Sequence, residues 1–586
     1  MAQHILLKSM LSSAFALTTV AAEAQQAMQS AQCAVESRTG QLRADLRRTV
    51  VITDPEVFQN DAFSLERTLG AILTSAVKEN PQDAAATEAQ KKLVNTPAER
   101  ISLLTSMIRS FRVADRVNPD SKVAMPARLR PNEAALDPLK LLTPQDADGM
   151  RPVGLFNRLD LAPANFKYCG EHRIVYAKGD PVGPTNRFLL IFEAAVDNPD
   201  PQNRPEGCLG IAQFWDSLKG KTGQQLRTAL EKFYYEGDTN GDGTPDIQPV
   251  VHHQHFGLPF GQVRGNLFVT GGDVANNPWM LREWRVSVSP DGSAVFVPDT
   301  VKANPHPALY GTAAANEVEG FGDLRFDFQD DFVRVHVREL IEQDLQAQRE
   351  GKTPTPTELF AGVGARFSNR FNTFESVSQG EGDDPLKRAE NTGLPAGIDT
   401  ELKNFKLPQG STLTAQHILA RAGAVSCGGC HQFSVGQEIA PNVKWPATTS
   451  GRFTHVTEKR ELSEALEKHF LPARCENLNN FLKQVAPTTI TVASGPTTSV
   501  SASAQRAAAP TPSQPAPTSP VDMAASATQG PPTAAAKARQ ALTRVAPAES
   551  RLERLEAVRN LEEQVQTARR QDRQEAGAFM TYRRPH

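Results

Sequence analysis

The sequence CGGCH at residues 427–431 is the stretch on which the interpretation of this chain depends. Two thiols three positions apart, followed directly by an imidazole, form the spacing through which two thioethers hold a haem while the histidine reaches the iron from the proximal side. Cysteine and histidine are scarce, with 6 Cys and 12 His among 586 residues. Independent draws would produce this pattern roughly once in a thousand such chains. The spacing therefore predicts a covalent c-type haem on Cys427 and Cys430, with His431 as its proximal ligand.

Other chemistry also fits two close thiols. Cys427 and Cys430 could form a structural disulfide, or supply half of a zinc site. A zinc site needs a second close pair of ligands, for which His469 and Cys475 are the nearest candidates. A thioredoxin-like redox pair requires a strand before it and a helix after it in a βαβ unit, and the Gly-rich, polar residues 432–442 do not offer that.

The second axial position of a haem iron would decide between electron transfer and ligand chemistry. Small electron-transfer cytochromes usually place a methionine there, but no Met lies between positions 431 and 522. The remaining choices are His455, His469, His417, a residue of the larger domain, or no protein ligand. His455 is preferred because it lies in the apolar setting FTHV at 453–456.

A second candidate site is the sequence DTNGDGTPD at 238–246. Its oxygen ligands at relative positions 1, 3, 5, 7 and 9, with glycine at position 6, match the first part of an EF-hand-type calcium loop. Position 12 is proline rather than the bidentate glutamate, so a complete EF-hand is excluded. A plain Asp/Gly turn is the alternative to a stabilising Ca²⁺ ion. The predicted ligands are Asp238, Asn240, Asp242, the carbonyl of Thr244, and Asp246.

Two weaker sets of polar residues lie in the strand-rich region. In HHQH at 252–255, His253 and His255 would share one face of an extended segment, which suits a transition metal or a distal haem contact, although surface polarity explains it equally well. The acid–base candidates have no spacing that distinguishes a mechanism; they are Asp160, Glu171 and His172.

The beginning of the chain and its charge indicate where the protein acts. Residues 1–24 have the pattern of a signal peptide: Lys8, a mostly apolar run at 10–22, and the small-x-small sequence AEA. No later stretch reaches the ~18 apolar residues of a membrane span. The net charge of −3 gives no reason to expect nucleic acid as a partner. A periplasmic or secreted protein without a transmembrane segment is therefore expected.

An oxidising compartment predicts that the four remaining cysteines pair with one another. Cys169 with Cys208 is the local pairing, which leaves Cys33 with Cys475. Three pairings of four cysteines are possible from sequence alone, and they stay open at this point.

Hydrophobic patterning divides the chain into segments and predicts an α+β fold. A helical N-terminal part is expected over 33–145, an antiparallel strand-rich α+β domain over 146–410, and a small, mainly helical domain over 411–485. The Pro/Ala-rich segment 486–547 is expected to be a disordered linker. Residues 548–586 are expected to form a charged helical tail that could support self-association.

Within these segments, several individual elements are predicted. Helices are expected at 63–73, 97–108, 224–235, 330–349, 414–422 and 463–470, a strand pair at 173–177 with 188–192, a hairpin at 284–288 with 294–297, and a long surface loop at 378–395.

The 411–485 segment resembles the haem-attachment domain of bacterial c-type cytochromes, through Cys427, Cys430 and His431. The wider chain is similar to exported bacterial proteins of uncharacterised function that carry one such motif, on the stretches RPVGLFNR at 151–158 and PWMLRE at 278–283. The resemblance implies a small cytochrome c-like domain. The missing downstream methionine departs from the usual cytochrome pattern and argues against simple high-potential electron shuttling.

Three functions follow from these patterns. The first is an exported haem protein that performs electron transfer or a haem-dependent redox reaction, with a redox partner protein or a small-molecule substrate. The second is a non-enzymatic binding protein stabilised by calcium and disulfides. The third is a peroxidase- or oxygenase-like haem enzyme with an open sixth iron position.

Overall fold

The computed structural model describes Cys33 and residues 42–485, with gaps at 79–95, 180–184, 258–259, 270–274, 289–292, 316, 363–364, 380–381 and 448–454. The predicted signal peptide (1–24), linker (486–547) and charged tail (548–586) lie outside the described residues. The fold combines helices with an antiparallel sheet, so the α+β prediction is confirmed.

An eight-stranded antiparallel sheet runs through the described part of the chain. Strands β1 to β7 lie side by side in chain order, and β8 pairs with β6. Val175 lies opposite Ile191, and Val286 lies opposite Phe296, so both predicted strand pairs are confirmed. The strands are β1 (Val51–Ile52), β2 (Met150–Arg158), β3 (Tyr168–Lys178), β4 (Asn186–Asp197), β5 (Gln262–Val269), β6 (Met280–Val288), β7 (Ala294–Asp299) and β8 (Ser376–Val377). A separate short pair is formed by β9 (Glu438–Ala440) and β10 (Val443–Lys444).

Helices precede, interrupt and follow the sheet. The α-helices of the described residues are α1 (Ala44–Arg47), α2 (Leu65–Lys78), α3 (Pro97–Ser110), α4 (Pro138–Leu142), α5 (Leu209–Ser217), α6 (Gly223–Glu231), α7 (Phe321–Asp331), α8 (Val337–Leu340), α9 (Glu342–Arg349), α10 (Pro356–Gly362), α11 (Pro385–Ala389), α12 (Leu394–Asn404), α13 (Ala415–Val425) and α14 (Leu471–Val485). Short π-helical segments extend α6 and α7 and precede α14.

One local prediction was confirmed in part and one was wrong. Residues 330–349 are helical as expected, but the helix begins earlier, at Phe321, and passes from α7 through a π-helical segment into α8. It is interrupted between α8 and α9, because the backbone leaves the helical region at Ile341. The surface loop expected at 378–395 contains helix α11. The Asp384 side chain accepts a hydrogen bond from the Leu386 amide, and Pro385 occupies the first helical position, so this helix has a regular N-terminus.

One face of the sheet packs on helices α2, α3, α5 and α6 and forms the main apolar core. Leu155, Ile174 and Leu190 point to this side and are almost fully buried. The helix and sheet are also joined by a polar contact, since Trp284 Nε1 donates to Ser110 Oγ at 3.0 Å. Burying this face leaves the opposite face to be covered by other parts of the chain.

Segment 411–485 contributes to covering the opposite face. A register shift between Pro152 and Gly154 allows both Val153 and Phe156 to pack in a second cluster on this side. Leu471 of helix α14 belongs to the same cluster. The segment expected to form a small domain therefore shares apolar contacts with the sheet.

All six cysteines lie in the described residues, and both expected pairings are confirmed. Cys33 is bonded to Cys475, with 6.5 Å between their Cα atoms, and Cys169 is bonded to Cys208, with 5.4 Å. Among the described helices, none combines the length and the apolar character that a membrane crossing requires.

Candidate functional site

The CGGCH motif begins directly after helix α13. Thr414 and His417 form a capping box at the start of this helix, and the Ser426 hydroxyl at its end accepts a hydrogen bond from the Gly429 amide at 3.0 Å. The Cys430 amide then donates to the Ser426 carbonyl at 2.9 Å. A π-helical segment at Gly429–Phe433 continues this turn. The side chains of both cysteines and of His431 therefore project from one short helical stretch.

The two glycines of the motif are required by close packing. A Cβ atom on Gly428 would lie 2.4 Å from the carbonyl oxygen of Val377 in β8, and one on Gly429 would lie 2.0 Å from the carbonyl oxygen of Gly423. The Gly428 amide also donates to Ser376 Oγ at 2.8 Å. The CGGC sequence therefore fixes the motif against the end of strand β8 and helix α13, independently of any ligand.

Both thiols of the motif are unbonded, although the other four cysteines form disulfides. Burial raises the pKa of the Cys427 thiol and raises that of Cys430 to about 12. Both side chains are therefore thiols at neutral pH, which argues against a nucleophilic cysteine. Because Cys475 is bonded to Cys33, it cannot serve with His469 as the second half of a zinc site.

His455 lies beside the motif. Its Nε2 atom is 3.2 Å from Cys430 Sγ, and its ring centroid is 4.7 Å from that of His431. Burial and the neighbouring His431 lower the pKa of His455 well below its usual value, so it is neutral. A neutral imidazole is the form that binds a metal.

A short chain reversal holds His455 in place. Val456 and Leu462 form an isolated β-bridge, and the Ser463 amide donates to the His455 carbonyl at 2.8 Å. The His455 Nδ1 atom lies 3.0 Å from Ser463 Oγ. With Nδ1 held by Ser463, the Nε2 atom of His455 is directed to the motif. Metal-binding histidines usually have their second ring nitrogen fixed by a hydrogen bond in the same way.

The motif lines a cavity of about 880 Å³ between segment 411–485, the sheet and helices near residue 350. This volume lies within the range of about 300–1,000 Å³ that is usual for ligand and cofactor sites. Cys427, Cys430, His431 and His455 all contribute to its wall. Among the described lining residues there is no methionine, and neither His469 nor His417 is included.

The sheet side of the cavity carries a row of charges, three buried glutamates and three half-buried arginines, which we call the charge row. Its members are Arg158 of β2, Glu171 and Arg173 of β3, Glu193 of β4, Arg264 of β5 and Glu283 of β6, and all but Glu283 line the cavity. The strand register places Arg158 opposite Glu171, Arg173 opposite Glu193, and Arg264 opposite Glu283, so these side chains share one face.

Ion pairs connect the charge row across the strands. Arg173 contacts Glu171 at 2.5 Å and Glu193 at 3.0 Å. Arg264 contacts Glu193 at 3.2 Å and Glu283 at 3.1 Å. Glu193 is fully buried, so these pairs are largely shielded from solvent. Ion pairs held in this way give the cavity wall fixed dipoles, unlike the mobile charged side chains of a solvent-exposed surface.

Two of the three predicted acid–base residues lie at this cavity. Burial alone would raise their pKa, but Arg158 lowers that of Asp160 to about 2, and Arg173 lowers that of Glu171 to about 2. Both are ionised at neutral pH, so neither can act as a general acid there. His172 points to the other face of the sheet, where its Nδ1 accepts a hydrogen bond from Trp215 Nε1 at 3.1 Å.

The predicted calcium loop satisfies its carboxylates internally. Asp238 accepts hydrogen bonds from the amides of Gly241 and Gly243, and the Lys232 ammonium lies 3.0 Å from its Oδ2 atom. The Thr239 amide donates to Asp246 Oδ2 at 2.9 Å. In the described part of the chain no group of three or more His, Cys, Asp or Glu side chains is arranged to hold a metal. The Ca²⁺ site stays a prediction.

Within the HHQH sequence, His253 begins a short 3₁₀-helix that runs to Phe256, with His252 as its N-cap, so His253 and His255 do not share a strand face. The ring of His252 stands 4.7 Å from that of His253 and 5.6 Å from that of His255. Burial lowers the pKa of both His253 and His255 to about 4. Neither histidine lines the cavity at the motif.

Sequence reasoning missed several residues of the cavity wall: Arg158, Arg173, Glu193, Arg264, Asn266 and Arg474. Asn266 contacts the motif, with its amide nitrogen 3.5 Å from His431 Nδ1, while its oxygen accepts a hydrogen bond from Trp279. A charged residue inside an apolar strand, such as Glu193 after FLLIF, is the signal that could have indicated a buried polar site.

Comparisons with known proteins give no relative: neither a family model, nor a curated protein, nor a solved structure matches the chain.

Proposed function

We propose that this chain is an exported c-type haem protein of the periplasm or the extracellular space, in which Cys427 and Cys430 bind the haem covalently and His431 ligates its iron. One observation carries the proposal. The four other cysteines pair, while these two remain thiols on the wall of a cavity of about 880 Å³ that they share with His431 and His455. Bound haem would supply one-electron redox chemistry, which none of the side chains at this site provides.

The residues of the chain would do three things for such a group. The thiols would add to its vinyl groups and fix its position. The Gly428–Gly429 turn, packed against β8, would hold both sulfurs on one side. The apolar side chains Phe470 and Trp445, which also line the cavity, would limit the access of water to the iron.

His455 is proposed as the second iron ligand, which favours electron transfer over chemistry at an open iron. It is the one histidine besides His431 among the described lining residues, it is neutral, and Ser463 fixes its Nδ1 atom.

The binding-protein alternative is less well supported. It requires Cys427 and Cys430 to cross-link, whereas they are unbonded here. The peroxidase- or oxygenase-like alternative requires an iron position without a protein ligand, and the proximity of His455 to the motif disfavours it.

Intact-mass analysis tests the proposal directly. The full chain is expressed with its signal sequence in cells that have haem-maturation machinery, beside the variant Cys427→Ala/Cys430→Ala. We expect the parent protein to carry about 616 Da of added mass and a thioether-haem pyridine haemochrome, both absent from the variant. Cys169→Ala/Cys208→Ala is the matched control and should keep the haem. A parent protein without the added mass contradicts the proposal.

The oxidised spin state tests His455. We expect a low-spin spectrum for the parent protein and for His469→Ala, a histidine outside the cavity wall, but a high-spin spectrum for His455→Ala. A high-spin parent protein would instead support the open-iron alternative.

A further inference from the structure

Arg474 is a basic side chain of the cavity wall whose ion pair among the described residues, with Asp160, is long. Each carboxylate of the charge row is already engaged by Arg173 or Arg264. Asp160, the acidic residue nearest to Arg474, is held by Arg158 through contacts of 2.9 Å from both Nε and Nη2. The Arg474 Nε atom stands 4.0 Å from Asp160, at the limit of an ion pair.

The surroundings of Arg474 are poor for an unpaired charge. Its side chain is 11% exposed, and it makes no hydrogen bond with the described residues. Its guanidinium group lies 5.8 Å from the centre of the Phe470 ring. Burial and the adjacent Arg158 lower the pKa of Arg474 well below its usual value. A guanidinium carries five N–H donors and stays charged in proteins, so this position requires an anionic partner.

The balance of charge limits what that partner can be. The charged side chains that line the cavity are six basic and six acidic; they are Arg158, Arg173, Arg264, Lys302, Lys352 and Arg474 against Asp160, Glu171, Glu193, Glu350, Glu358 and Glu476. Because the wall has no net excess of positive charge, a partner with a single negative charge disturbs this balance least. The nearby carboxylates would repel a more highly charged anion such as phosphate. At the rim, Glu350 and Glu358 are already paired with Lys352.

We infer that Arg474, next to Arg158, forms a subsite of the cavity that binds one carboxylate group. A planar guanidinium matches a carboxylate through two parallel hydrogen bonds. The carboxylate can come from a haem propionate or from a small-molecule substrate. The first source depends on the proposed haem, whereas the second does not.

The first arm uses the full chain without haem, in the Cys427→Ala/Cys430→Ala background. Butyrate and its neutral isostere butyramide are titrated by NMR. We expect butyrate to bind at least about tenfold more tightly than butyramide, and Arg474→Gln to remove the difference. Arg474→Lys should keep part of it. Arg334→Gln, at an arginine whose side chain is 74% exposed, is the matched control and should change nothing.

The second arm uses the haem-loaded full chain and separates the two sources. If a propionate fills the subsite, butyrate will not bind, and Arg474→Gln will lower the midpoint potential because a positive charge near the haem is lost. If a substrate fills it, butyrate will bind to the haem-loaded parent protein and not to Arg474→Gln.

Equal, weak binding of butyrate and butyramide in the haem-free chain, together with an unchanged potential in Arg474→Gln, would overturn the inference. A parent protein without haem would contradict the proposed function but leave the haem-free titration valid. If Arg474→Gln does not fold, two measurements still test the carboxylate subsite. They are the comparison of butyrate with butyramide in the haem-free chain that retains Arg474, and the same comparison in Arg474→Lys.

Discussion

The Cys33–Cys475 disulfide should contribute more to stability than the Cys169–Cys208 disulfide, because it closes a far longer loop. The two pairs are separated by 442 and 39 residues, respectively. Cross-linking removes conformational entropy from the unfolded chain in proportion to the logarithm of loop length. That relation gives about 6 kcal/mol for the longer loop and about 4 kcal/mol for the shorter one. Residual structure in the unfolded chain lowers both values.

The difference in free energy of unfolding between variants that lack one or the other disulfide tests this relation. All four cysteines are at most 2% exposed, so replacing them by alanine removes similar buried surface in each pair. We expect Cys33→Ala/Cys475→Ala to lower the free energy of unfolding by about 2 kcal/mol more than Cys169→Ala/Cys208→Ala does.

Urea denaturation, followed by circular dichroism in parallel for the parent protein and both double variants, measures this difference. An equal loss in the two variants, or a larger loss for the Cys169 pair, would show that loop length does not govern the stabilisation. Reduction of the parent protein should give a loss no smaller than that of either variant.

Two further predictions concern protonation and metal binding. Burial lowers the pKa of His172 to about 3, below its unfolded value of 6.5. The folded protein therefore keeps its full stability with respect to His172 above pH 6.5, where the imidazole is neutral in both the folded and the unfolded chain. As the pH falls from 6.5 toward 3, the free energy of unfolding decreases by up to about 1.4 kcal/mol per pH unit, because only the unfolded chain takes up the proton. In urea titrations from pH 7 to pH 4, His172→Asn should show a shallower loss of stability than the parent protein, and an unchanged slope would refute this reasoning. If the loop at 238–246 binds Ca²⁺, millimolar Ca²⁺ should raise the Tm relative to EDTA. Asp242→Asn should remove that rise and Asp323→Asn, at an exposed helical position, should keep it; equal Tm values with Ca²⁺ and EDTA for the parent protein would exclude the site.

Local sequence patterns predicted the elements whose structure depends on near neighbours. The strands around Val175 and Ile191 were recognisable from their apolar runs and the turn between them. Helix α11 was also readable, from Asp384 as a cap and Pro385 at the first position, but the Gly/Asp-rich surroundings concealed it. The motif itself indicated the region in which the cavity lies.

The charge row could not be predicted in this way. A polar residue at alternate positions of a strand, such as Glu171 and Arg173, normally indicates a solvent-exposed face. Here Glu171 and Arg173 instead line a cavity. Its other wall includes residues of segment 411–485, more than 200 positions later in the chain. Arg474 likewise occupies an ordinary place in an amphipathic helix, and only the packing of α14 near Asp160 makes it a candidate anion ligand.

The order in which the cysteines occur along the chain has a consequence for maturation. During synthesis, Cys33 is complete long before Cys475, and Cys169, Cys208, Cys427 and Cys430 all appear in between. If each cysteine of the nascent chain formed a disulfide with its nearest available neighbour, Cys33 would form a non-native disulfide with one of these cysteines. Cys427 and Cys430 would also become oxidised. The Cys33–Cys475 bond therefore forms only after nearly the whole polypeptide has been synthesised, either directly or when an isomerase rearranges earlier bonds.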